Sequence, residues 1–139
     1  MIPYEITEHT AEIGVKAYGR TLEELFAHMA QGMFGLIVPP EQVRPSRTLL
    51  VRAVGEDRER LLVAWLKELL FRFDTGRFLG KGFQVRFPGP GRLEAEVTGE
   101  PLDLGRHAVD KEVKAVTYCD LAVAQRPDGV WSAQVVFDI

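Results

Sequence analysis

From Ile13 onward the chain alternates, with Ile13, Val15 and Ala17 on one face and Gly14, Lys16 and Tyr18 on the other. That is the period-2 pattern of a half-buried strand. Tyr4-Glu5-Ile6 reads as a short strand ahead of it, and Gly19 ends it. The period then changes. Leu25, Phe26, Met29, Ala30, Met33 and Phe34 form a doubled stripe at helical spacing, wide enough to lie flat on a sheet. Thr21 and Glu24 stand three residues apart at its start, the arrangement in which each side chain satisfies a backbone N–H of the other's residue. Gly35 and the pair Pro39-Pro40 mark the end of the helix and the loop beyond it.

Arg47 to Ala53 alternates again, and Gly55-Glu56-Asp57 opens a second helix whose early acids suit the positive end of the helix dipole. Its stripe, Leu61, Leu62, Trp65, Leu66, Leu69, Leu70 and Phe73, repeats the doubled pattern of the first. No further helical period follows. Phe83 to Phe87, the turn Pro88-Gly89-Pro90-Gly91 and Arg92 to Thr98 read as a hairpin, with further strands over Val113 to Tyr118, Leu121 to Gln125 and Trp131 to Phe137. The order is roughly ββαβα followed by four or five strands. It predicts an α+β single domain over residues 1–139, with two amphipathic helices packed on a largely antiparallel β-sheet layer structure.

Composition narrows the function classes. With 46% apolar and 27% charged residues, the 139-residue chain has the make-up of a soluble globular protein large enough to bury a core. Its single cysteine, Cys119, excludes an internal disulfide framework and a thiolate metal cluster, and a reducing cytoplasm is the simplest expected location. No apolar run approaches the roughly 20 residues of a membrane span, and the basic-then-apolar layout of a secretory signal is missing from the first residues. The net charge is −3 and no Lys/Arg run is present, whereas proteins that hold nucleic acid alone depend on a basic stripe. A role near RNA would therefore pass through a protein partner.

Candidate chemistry is sparse. Gly76-Arg77-Phe78-Leu79-Gly80-Lys81-Gly82 is one residue short of a phosphate-cradling motif, lacks the Ser or Thr after Lys, and precedes a strand, so a flexible loop is expected. His28 falls on the polar side of the first helix, where it should be solvated. His9 and His107 fall in loops or at strand ends, where a histidine serves either chemistry or structural hydrogen bonding, and both are candidates for partner contact or activity. Cys119 has the character of an inert buried thiol. Glu12, Asp138 and the α-carboxylate of Ile139 offer hard oxygen ligands suited to Ca²⁺, Mg²⁺ or Mn²⁺. The plainer reading, that acids at strand ends are simply solvated, stands beside it, and spacing does not separate the two.

Taken together, His9-Thr10-Ala11-Glu12-Ile13-Gly14, Thr21-Leu22-Glu23-Glu24-Leu25-Phe26, Gly32-Met33-Phe34, Trp65-Leu66-Lys67-Glu68-Leu69-Leu70-Phe71, Gly99-Glu100, Glu112-Val113-Lys114-Ala115-Val116-Thr117-Tyr118 and Phe137-Asp138-Ile139 closely resemble the archease family, in order, from about Tyr4 to the last residue. The resemblance implies a non-enzymatic accessory protein of an RtcB-type RNA ligase in tRNA splicing or RNA repair. Such a protein promotes the ligase's guanylylation and multiple turnover and meets RNA only through the ligase. It also implies a divalent cation, typically calcium, held by the acid of the family's His-Thr-Ala-Asp motif and its terminal Asp-Ile, which fall here on Glu12, Asp138 and Ile139. Glu112 and Lys114 become candidates for partner contact or activity. Two departures stand out: Glu12 replaces the usual Asp, and Cys119 stands where His commonly follows the Tyr. A metal-dependent phosphoester hydrolase using the same acids to activate water and a passive adaptor or chaperone-like protein are the competing readings.

Overall fold

The computed structural model describes residues 1–8 and 11–139. Two antiparallel sheets are built from strands β1 (Tyr4–Glu8), β2 (Glu12–Gly19), β3 (Arg47–Val54), β4 (Phe78–Gly89), β5 (Arg92–Pro101), β6 (Ala115–Val116), β7 (Ala122–Gln125) and β8 (Trp131–Asp138), with helices α1 (Leu22–Ile37) and α2 (Arg58–Gly76) between them in the chain. One sheet runs β1-β2-β8-β6, with β7 also pairing β8, and the other runs β3-β5-β4. The α+β class and antiparallel pairing match the expectation. The division into two sheets explains the doubled stripes. α1 touches β2 of one sheet and β4 of the other, and α2 touches β3 as well as β6 and β7, so each helix needs an apolar face on two sides.

The core follows from these contacts. Ile13, Val15 and Ala17 from β2, Met29 and Met33 from α1, Leu62, Trp65 and Leu66 from α2, and Val135 and Phe137 from β8 are fully enclosed. Trp65 satisfies its indole N–H with the Phe26 carbonyl at 3.1 Å, tying the two helices together through a bond shielded from water. Phe83 bridges to the same region, stacking on Phe34 and meeting Trp65 edge-on.

Several boundaries differ from the sequence reading, each for a physical reason. α1 runs past Gly35 to Ile37. A β-carbon on Gly35 would press on the Tyr4 hydroxyl of β1, and one on Gly32 would collide with the Val15 side chain and crowd the Tyr4 ring; these glycines serve close packing rather than termination. The Thr21 hydroxyl accepts from Glu24 N–H as a cap should, but the Glu24 carboxylate reaches back to the N–H of Arg20, one residue early. The expected loop at Gly76–Gly82 is largely strand: Phe78 and Leu79 are buried and begin β4, which is interrupted by a bulge between Gly80 and Gly82. The expected strand from Val113 to Tyr118 forms a ladder only at Ala115–Val116. β8 shares its edge between two short strands, β6 at Phe137–Asp138 and β7 at Trp131–Gln134. Among the described residues no helix is long and apolar enough to cross a membrane.

Candidate functional site

β2 and β8 pair antiparallel with Glu12 opposite Asp138 and Ile13 opposite Phe137. Ile139 N–H donates to the Ala11 carbonyl, so residues 11 and 139 form a hydrogen-bonded pair. Their neighbours 12 and 138 therefore occupy a non-hydrogen-bonded position, where α-carbons approach to about 4.5 Å and side chains are closest. Asp138 turns its carbonyl the other way, accepting from Lys114 N–H at 2.8 Å. The inward residues Ile13, Val15, Val135 and Phe137 are buried, which leaves the Glu12 and Asp138 carboxylates together on the outward face.

Two carboxylates opposed across a ladder repel each other. Neither has an ion-pair partner among the described residues. On the same face a cavity of about 240 Å³ is lined by Thr7, Glu12, Gly14, Lys16, Asp120, Gln134 and Val136. Asp120 is the acid that sequence reading missed. It sits in the turn between β6 and β7 with φ of 51°, a left-handed conformation that Asp tolerates better than most residues. The tight reversal from one short strand to the next brings it to Glu12, and only the pairing of both strands with β8 reveals it.

Cys119, expected to be buried, is exposed in that turn. Its thiol is pushed above its ordinary range first by the charge of Asp120, then by partial desolvation and by Glu12 and Asp138. The cysteine thus reports a concentration of negative charge at this end of the sheet. Among the described residues no three His, Cys, Asp or Glu side chains converge as a metal-holding group. Glu12 and Asp138 supply oxygen donors of the kind a hard cation takes, and main-chain oxygens or water would complete the usual six to eight or so.

Glu112 and Lys114 are both exposed on the segment leading into β6, beside Asp138. What holds that segment is a buried polar cluster. Glu100 accepts from Arg44 N–H at 2.8 Å and from the Arg106 guanidinium, and His107 Nε2 lies 2.9 Å from Glu100 Oε2. His107 Nδ1 accepts from Asp103 N–H, which leaves the proton on Nε2 to be donated to Glu100. The Glu100 carboxyl is lowered to about 2, chiefly by the Arg106 and Arg44 hydrogen bonds, which outweigh its burial. His107 is enclosed by this cluster, so the ring proposed for partner contact or activity faces the interior. Further on, Asp110 and Lys111 N–H donate to the Ile37 and Leu36 carbonyls, capping the end of α1.

The remaining candidates resolve simply. His28, expected to be solvated, is half-buried and donates from Nδ1 to the Tyr18 carbonyl. His9 lies outside the described residues.

Comparison with known proteins matches residues 4–139 to the sequence model described as "Archease protein family (MTH1598/TM1083)". "Protein archease" of Thermococcus gammatolerans is 41% identical, with 98% of each chain covered, and "Protein archease" of Pyrococcus furiosus is 38% identical, with 100% of each covered. The solution structure of Methanobacterium thermoautotrophicum protein 1598 superposes with a TM-score of 0.86 at 35% identity, covering 99% of both chains.

Proposed function

The chain belongs to the archease family, and from that premise we propose that it is an accessory protein of an RtcB-type RNA ligase in tRNA splicing or RNA repair. It promotes the ligase's guanylylation and multiple turnover without carrying the nucleotide chemistry itself, and it meets RNA through the ligase. The observation that carries this reading is the Glu12–Asp138 pair: two acids set directly opposite on an outward sheet face, costly by themselves and useful only with a cation or a cationic partner.

Glu12 and Asp138, with Ile139 contributing main-chain oxygen, would hold a divalent cation, calcium first and magnesium or manganese by the same oxygen chemistry. Bound there, the cation supplies positive charge that offsets the opposed carboxylates. The chain's own residues do the positioning: the β2–β8 ladder fixes the register of the acids, and the Lys114 and Ile139 hydrogen bonds fix the end of β8. Glu112 and Lys114, exposed beside the acids, are placed to touch the ligase.

The test is to measure guanylylation and turnover of the cognate ligase with and without this protein, each with and without chelator. Stimulation that disappears on chelation and on Asp138→Ala, with folding intact, supports the proposal. Stimulation indifferent to both would leave a passive adaptor, and metal-dependent phosphoester hydrolysis by this protein alone that requires Glu12 would make it an enzyme.

A further inference from the structure

Away from the acid pair, a groove of about 600 Å³ lies along α2. It is lined by Ala64 and Lys67 of α2, by Pro90 and Arg92 at the β4–β5 turn, and by Val54 and Tyr118. Spacings of three and four residues place Ala64, Lys67 and Phe71 on one helix face, so the apolar surface continues past the groove. Three large apolar side chains are exposed along it: Val54 at 71%, Tyr118 at 57% and Phe71 at 56%.

The groove is also positively charged in a specific way. Arg60 is held by Glu56 at 3.0 Å and Asp57 at 3.3 Å, which leaves Lys67 and Arg92 as its uncommitted cations; neither has an ion-pair partner among the described residues. Lys67 lies 5.0 Å from the centre of the Tyr118 ring, so charge and aromatic surface meet at one point. In a chain of net charge −3, a cationic apolar groove is a local reversal of sign. Tyr118 shares its turn with Asp120, so the groove and the acids flank the same corner of the molecule.

We infer that this groove docks an acidic segment of the partner protein, seating an apolar side chain between Tyr118 and Val54 and its carboxylates on Lys67 and Arg92. A polypeptide fits better than a nucleic acid, because two free cations are too few to drive phosphate-based affinity while the apolar walls reward a buried side chain. The inference deepens the accessory reading and rests on it: the ligase would grip one corner of this protein at two patches of opposite sign.

The experiment titrates the cognate ligase with wild-type protein and with the variants Lys67→Glu/Arg92→Glu, Tyr118→Ala and Asp138→Ala, by calorimetry at low and moderate salt. The charge-reversal pair should weaken binding by roughly tenfold or more and flatten its salt dependence, with thermal melting unchanged, and Tyr118→Ala should weaken it by a similar factor. Wild-type binding that both groove variants retain in full overturns the docking inference and leaves the accessory reading standing. No wild-type binding overturns both. A fluorescent oligoribonucleotide that binds wild type and is lost in the charge-reversal pair, or a dimer in sedimentation lost in that pair, reassigns the groove to RNA or to a second copy and also overturns the inference.

Discussion

The Glu100 carboxylate is buried yet stays ionised because Arg106, the Arg44 N–H and His107 all donate to it. Its folded value of about 2 lies below the ordinary 4.5, so its contribution is present in full above about pH 4.5 and is lost as pH falls toward 2. Urea denaturation across that window should show wild-type stability declining, with Glu100→Gln less stable at neutral pH and flatter in acid. Trp65→Phe removes both volume and the bond to Phe26, and should cost about 1 to 3 kcal/mol in the same assay. Legibility differed sharply among such residues. Glu12 could be placed by strand alternation, because period 2 fixes its face. Glu100 and His107 could not be paired, since the loop that folds His107 back onto β5 follows no period.

At the level of elements, both helices could be read because a doubled apolar stripe has one helical solution; the Thr21 hydroxyl caps the first where expected, and Asp57, read only as an acid suited to the helix dipole, proves to cap the second by accepting from Arg60 N–H. The second sheet could not, since a stripe records how wide a buried face is and not how many partners cover it. β4 is longer than its sequence suggests because Gly80 and Gly82 look like loop residues, whereas Gly80 is pressed against the Phe34 and Phe83 rings. Each helix is entered by the same device. A β-carbon on Gly19 would collide with the Leu25 backbone, and one on Gly55 with the Leu61 backbone. Backbone cannot swing aside as a side chain can, so Gly19→Ala and Gly55→Ala should each destabilise by about 1 to 3 kcal/mol in chemical denaturation, with little change at the acid pair.

For the whole molecule, the decisive pairing joins residues 12–19 to residues 131–138. If the acids at its end share a cation, calcium should raise the melting temperature of wild type by mass action and leave Glu12→Gln unmoved. In chelator, the same substitution should raise stability by up to about 1 kcal/mol, because one member of a repelling cross-strand pair becomes neutral. The pairing has a further consequence for how the protein is made. β8 lies between β2 and the short strands β6 and β7, so the innermost strand of that sheet is contributed by its most C-terminal segment. While the ribosome still encloses residues 131–138, β2, β6 and β7 share no common neighbour, and the nascent chain can offer only the β1–β2 hairpin and the β3–β5–β4 sheet with its helices. Closure of that sheet therefore waits for residues 131–138, and the pairing that completes it is the one that brings the two acids together.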